Sequence, residues 1–353
     1  MIHPKPHLKE QYMKRYLPFL LVIIGVILIS SLVIGKMQEK EKDLTVYSYD
    51  SFISEWGPGP VIAELFEKET GISINFFSPG DAGQTLQRLI EEKEKPIADV
   101  ALGIDSNLYF KALKEGLFEE YESPQLKHVD AKLLFPGRPV LTPFDFGYFS
   151  FIYDSESEIP PPVDFSDLLS PRFREKIIIM DPRTSTPGLG LLLWSRMVFG
   201  DDTTHFWNEI KPNLLTVSSG WDTGYGLFTS GEAPLVLSYT TSPAYHLEYE
   251  ESRRYRALIF PEGHLFQVEG AGVVAGTEKQ KEARMFIDFL LSESVQELFP
   301  LTNWMYPVRR GTPLPDSYVL APQPTSGLAP EEQLLDDQSL DDLIDLWDSS
   351  LSQ

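Results

Sequence analysis

Hydrophobic positions along the chain fall into two kinds of run. Tyr16 to Gly35 is an uncharged apolar stretch of 20 residues, and at about 1.5 Å per residue a helix of that length crosses the hydrocarbon core of a bilayer. After a charged spacer, Lys36 to Asp43, short β-rich runs alternate with stretches whose apolar positions recur at helical spacing. Leu44 to Tyr49 predicts a strand. Val61, Ile62, Leu65 and Phe66 fall on one face of a helix, with Pro60 in its first turn and Gly71 as its stop. Ile72 to Phe77 predicts a second strand, Asp81 caps a helix through Arg88 and Ile90, and Ile97 to Leu102 predicts a third strand. Leu141 to Tyr153 is long and aromatic enough to pass between two lobes. Pro160, Pro161 and Pro162 mark a surface break, after which Lys176 to Met180 opens a second set of strand–helix units. Phe266 to Gly276 predicts a return strand, followed by a helix from Glu278 to Leu291. Leu340, Leu343, Ile344 and Trp347 place a docked amphipathic helix near the C-terminus, its acidic side a solvated face. The alternation is that of an α/β fold.

Charge changes where this fold is expected to reside. Among the first forty residues six Lys and Arg stand against two Asp and Glu, so the −22 of the whole chain leaves −26 on the remainder. Four of the six, Lys5, Lys9, Lys14 and Arg15, precede the apolar run against Glu10 alone, so positive-inside logic keeps the start cytoplasmic and exports the acidic body. Val33-Ile34-Gly35 offers a small-residue cleavage site, making a cleaved signal peptide the rival reading. The length of the run favours an uncleaved anchor, because signal cores span about 7–15 residues. A nucleic-acid partner, which needs clustered positive charge, is excluded. With no cysteine there is no disulfide, thiolate metal site or Cys nucleophile, and the six His are scattered.

The loops after the predicted strands, where ligands of open α/β sheets bind, are rich in aromatics. Tyr49 and Trp56 flank the first, Trp221 follows Gly220, Tyr239 and Tyr245 bracket TTSPA, and Trp304 sits in NWMYP. Together they predict an aromatic-walled pocket, suited to a flat or cationic ligand through stacking and cation–π contacts of about 0.5–2 kcal/mol each. In DPRTSTPGLG, Thr186 is placed as N-cap and Pro187 as first helical residue, so the hydroxyls of Thr184, Ser185 and Thr186 converge on a helix N-terminus able to hold phosphate or carboxylate. Simple capping explains Thr186 equally well, and the same holds for Ser242 in TTSP and for Asp81. Recognised catalytic motifs are absent: there is no GxSxG, HExxH, Walker loop or GxGxxG.

LTVYSYDSF with WGPGP, ADVALGIDSNL, PFDFGYFSFIYD, DPRTSTPGLGLLLW, LVLSYTTSPAYH, EGHLFQVE and NWMYPV together resemble the extracytoplasmic thiamine-binding proteins of ABC importers. The resemblance implies a type II periplasmic binding-protein fold of two α/β lobes joined by crossover strands, with residues 41–143 and 258–353 in lobe 1, 144–257 in lobe 2, and 1–40 as leader, anchor and spacer. It implies a monomer that binds thiamine or its phosphates, needs no cofactor or metal, and delivers its ligand to a membrane permease. Tyr49, Trp56, Trp221, Tyr239, Tyr245 and Trp304 would enclose the rings, Ser185 would face the hydroxyethyl or phosphate end, and Asp81 would approach from the first lobe. Thr184, Thr186 and Ser242 stand in a second tier. SPGDAGQ around Asp81 diverges from the family. Binding of ferric iron or a polyamine is the alternative, as is a thiamine-processing enzyme on the same fold, although such enzymes use a Cys nucleophile that this chain lacks.

Overall fold

The computed structural model describes residues 43–352. The apolar run 16–35 lies outside them, and among the described residues no helix is long and apolar enough to cross a membrane.

In chain order the strands are β1 (Leu44–Tyr47), β2 (Ile74–Phe77), β3 (Val100–Asp105), β4 (Thr142–Asp154), β5 (Ile177–Met180), β6 (Leu214–Ser218), β7 (Leu235–Tyr239), β8 (Tyr255–Ala257), β9 (His264–Val273), β10 (Tyr306–Pro307) and β11 (Gly327–Leu328). The helices are α1 (Asp50–Ile53), α2 (Pro58–Thr70), α3 (Ala82–Glu92), α4 (Tyr109–Glu115), α5 (Thr186–Phe199), α6 (Thr203–Ile210), α7 (Trp221–Thr229), α8 (Ser242–Glu250), α9 (Gln280–Leu290), α10 (Glu293–Gln296), α11 (Phe299–Thr302) and α12 (Asp337–Ser352).

The sheet runs β2-β1-β3-β9-β4-β7-β5-β6. Its two ends are parallel, β2-β1-β3 on one side and β7-β5-β6 on the other. Two antiparallel crossover strands join them. β4 pairs with β9 through Thr142 to Tyr148 and then with β7 through Phe149 to Tyr153, so one strand of 13 residues, roughly 40 Å long, belongs to both lobes. β4 is buried along almost its whole length, including its polar positions Asp145 and Ser150. α3 covers β3, α9 covers β9, and α5 and α7 cover β5 and β7.

Most elements fall where the hydrophobic pattern places them. α2 buries Ile62 and Phe66 and stops at Gly71, whose φ of 71° is the left-handed conformation glycine adopts freely. The third strand begins three residues later than expected, at Val100, because Pro96 and the exposed Ile97 stay outside the ladder. The return strand is likewise shifted, to His264–Val273. The C-terminal helix docks through buried Leu340, Leu343 and Trp347, but on α5 and α6, elements of the second lobe, although residues 258–353 are expected in the first. The reason is complementary packing: Trp347 meets Trp207 edge to face at 6.4 Å between ring centroids, and Arg183 lies over its other side.

Trp347→Ala is expected to cost about 3 kcal/mol in denaturant unfolding through the cavity it leaves. The Trp347 indole N–H is buried without a partner, so Trp347→Phe should cost under about 1.5 kcal/mol.

Candidate functional site

The aromatic loops converge on one cleft between the lobes, about 670 Å³ including its open mouth, and Tyr49, Trp56, Asp81, Trp221, Tyr239, Tyr245 and Trp304 all line it. Each is set by a different element. Tyr49 follows β1 and opens α1, and its hydroxyl donates to Glu269 Oε2 at 2.7 Å while accepting from Asn303 Nδ2 at 2.9 Å. Its ring lies against Gly103, where φ is +88° and an added Cβ would come within 2.4 Å of the ring, so only glycine fits. Burial, together with Glu269 and Asp145, keeps the Tyr49 hydroxyl protonated far above the usual range. Tyr239 ends β7, packs its ring on Phe149 and accepts a hydrogen bond from Gln267 Nε2 at 3.1 Å.

Trp221 and Tyr245 lie on helices rather than in loops. Trp221 is the first residue of α7, its indole N–H donates to Ser238 Oγ at 2.7 Å, and its ring stacks on Tyr225 at 4.9 Å. Tyr245 projects from α8 and meets Trp304 edge to face at 5.4 Å. Trp304 sits just beyond α11 with φ of +56°, a region bulky side chains rarely enter, so local strain fixes its indole at the wall. Trp56, 49% exposed, stands at the mouth.

Asp81 is both cap and wall. One carboxylate oxygen accepts from its own helix at Ala82 N, 2.8 Å, and Gln84 closes the capping box; the other accepts from Trp221 N of the opposite lobe at 3.3 Å. Burial raises its pKa, opposed by the Ser185 hydroxyl and these backbone donors. The lobes touch closely here: a Cβ on Gly83 of α3 would come within 2.9 Å of the Arg183 carbonyl.

The turn before α5 is displaced by one residue from expectation. The helix begins at Thr186, with Ser185 as the N-cap residue and Pro187 in second place, because the extended backbone ends at Ser185. Thr186 lines the aromatic cleft and its hydroxyl faces Asp105. Ser185 and Thr184 do not line it; they lie in an adjoining hollow beside α3. Ser185 is buried with its hydroxyl unpartnered and facing Asp81, whereas Thr184 Oγ1 donates to the Ser219 carbonyl at 2.6 Å. Ser242 lines the cleft and shares a hydrogen bond with Ser238 at 2.7 Å.

Several lining residues escaped the sequence reading: Glu269, Asn303, Tyr225 and Met305. Glu269 had a signal, since a Gln and a Glu two apart in an apolar strand, QVE, point to one face that must be satisfied internally. Tyr225 had one too, at helical spacing from Trp221. Behind Tyr225, His246 accepts or donates at 2.9 Å and is held on its other nitrogen by Glu250 at 2.7 Å; burial lowers its pKa. Among the described residues no three His, Asp or Glu side chains converge as a metal set.

The model for the bacterial extracellular solute-binding proteins matches residues 95–324. A thiamine-binding periplasmic protein of Brucella abortus is 43% identical over 295 residues, covering 82% of this chain and 86% of the relative. Its counterpart in Escherichia coli is 42% identical over 288 residues, covering 81% and 86%. A solved periplasmic thiamin binding protein superposes with a TM-score of 0.83 at 39% identity, over 88% of this chain and 96% of the other. A ferric binding protein from Campylobacter jejuni, at 18% identity and a TM-score of 0.74, shares the fold. By the extent of these matches, the chain belongs to the bacterial extracellular solute-binding proteins, among the thiamine-binding periplasmic proteins.

Proposed function

We propose that the chain is the extracytoplasmic solute-binding component of an ABC importer, that it captures thiamine and its phosphates, and that it hands them to a membrane permease. The observation that carries this reading is the gathering of seven aromatic side chains, drawn from separate parts of the sequence, around one interlobe cleft. A permanent cation with two flat rings suits that wall: rings stack on Tyr and Trp faces, and each cation–π contact adds about 0.5–2 kcal/mol. The relatives at 42–43% identity are named for thiamine binding, whereas an iron uptake protein of Synechocystis is 28% identical, so the iron alternative is not favoured.

Capture works by closure. The lobes, 41–143 with 258–353 and 144–257, apart from α12, which sits on the second, hinge on β4 and β9, and the ligand bridges them so that the closed form is favoured by its contacts to both. Asp81 belongs to that step, because its carboxylate reaches the α7 N-terminus only when the lobes meet. The Ser185 and Thr184 turn, next to the cleft at the start of α5, is the place for a phosphate ester. The protein acts as a monomer in the periplasm, tethered by residues 16–35.

Calorimetric titration of the ligand-stripped protein is expected to show one saturable site for thiamine or a phosphate of it. Trp221→Ala should weaken that site about 5- to 30-fold, the worth of one strong cation–π contact. No heat with thiamine, its monophosphate or its diphosphate overturns the reading.

Asp81→Ala should lower unfolding stability by about 1 kcal/mol through loss of the cap, whereas Asp81→Asn, which keeps a capping oxygen, should cost a few tenths. Alanine at this position is expected to reduce ligand-induced compaction measured by small-angle scattering; unchanged compaction would show the carboxylate to be a cap alone.

A further inference from the structure

Three carboxylates lie side by side across the middle of the sheet. Glu269 on β9 is in register with Asp105 on β3 and with Asp145 on β4. Residues opposite one another on adjacent strands stand about 5 Å apart, so the three form one lateral row, whose central member, Glu269, lines the cleft. Asp105 and Asp145 have no exposed surface and Glu269 only 6%.

The row is not neutralised by the protein. Its hydrogen bonds come from neutral donors: Tyr49 OH and Gln267 Nε2 to Glu269, Asn303 Nδ2 to Asp145 at 2.6 Å, and the Asn107 and Leu108 backbone N–H groups to Asp105. Other buried carboxylates differ: Asp99 has Lys279 at 3.3 Å and Asp154 has Arg254 at 2.7 Å. The remaining titratable groups facing the row are Asp81 from the start of α3, Tyr239 at the end of β7, and Tyr318 beside Asp145. None of these is a cation.

Independent of the acids, the amide of Gln267 points to a missing partner. It is fully buried, gives its Nε2 to both Tyr239 and Glu269, and leaves its Oε1 without a donor. One oxygen each of Asp105 and Asp145 is orphaned in the same way. A buried unsatisfied acceptor costs about 1–3 kcal/mol, more for a charged one, so three strands converge here on an arrangement that calls for protons on the acids or for positive charge from outside.

We propose that the Asp105–Glu269–Asp145 row is a proton-linked counter-charge that selects for a cationic ligand: the empty site holds protons on the row and gives up about one of them when the cation enters. The inference rests on the thiamine reading and adds to it a charge test that the aromatic wall cannot apply, since rings also stack on neutral ligands. Burial, and for Glu269 also Asp145, raises the carboxyl pKa values, Asp105 to about 6 and the other two further. A cation favours the ionised form and so lowers those values. Protons therefore leave on binding, affinity falls as pH drops below the values of the empty site, and it levels off above them.

The test is calorimetry on the full ligand-stripped chain at pH 6, 7 and 8, in phosphate and in Tris, with thiamine and with an analogue whose thiazolium is replaced by neutral thiophene. Thiamine affinity should rise by up to about tenfold per pH unit, the limit for one released proton, with buffer-dependent heat. The neutral analogue should bind at least about tenfold more weakly and show little pH dependence. Glu269→Gln, with Asp145→Asn as second variant, should flatten the pH profile of thiamine and weaken it at least about tenfold more than it weakens the neutral analogue. Thiamine bound equally at all three pH values without proton release, or a glutamine variant that weakens both ligands alike, overturns the role of the row and leaves the function standing. Absence of binding by thiamine and by both its phosphates at every pH overturns the function and this inference with it.

Discussion

The antiparallel ladder between β4 and β9 is the constraint on which the molecule turns. Buried backbone groups must find partners, and β4 satisfies its own by pairing with β9 over its first half and with β7 over its second. Neither lobe is therefore a separable body: each completes its sheet with a strand the other also uses. Any opening motion is confined to bending and twisting of this ladder. The cleft lies over it, with Glu269 of β9 in its lining and the two lobes at its sides.

That geometry explains the division of labour around the cleft. The three carboxylates are placed on strands, where register fixes their positions, and most of the aromatic wall is placed on helix starts and turns. Asp81 and Trp221 N join the N-terminus of α3 to that of α7, two positive helix ends sharing one carboxylate. Without Asp81 these two ends would face each other unscreened. The left-handed backbone at Trp304 serves the same end from the first lobe, holding a large ring where a relaxed chain would not put it.

Much of the frame was legible because local rules sufficed. The Val61–Phe66 stripe, the Gly71 stop and the Asp81 cap are each decided within a few residues, and the clustering of aromatics near Gly and Pro marked the cleft wall before any contact was known. What local rules miss is register. Glu269 becomes the centre of a row only because β9 lies between β3 and β4, strands more than a hundred residues away on one side, and nothing in QVE tells which residues stand opposite. Trp221 and Tyr245 were read as loop residues because Gly220 and Pro243 dominate their surroundings; both belong to the first turns of helices, where such residues are at home. Ser185 and Thr186 exchange roles for a similar reason: a one-residue shift of the helix start turns one hydroxyl into the cleft and the other into the hollow behind it.

The seat of α12 has a mechanical consequence. The chain enters the first lobe immediately at β1, whereas its last helix is bolted to α5 and α6 of the second. An attachment at the start of the chain therefore grips one jaw and the end of the chain rides on the other. A change in the angle between the lobes therefore carries α12 relative to β1.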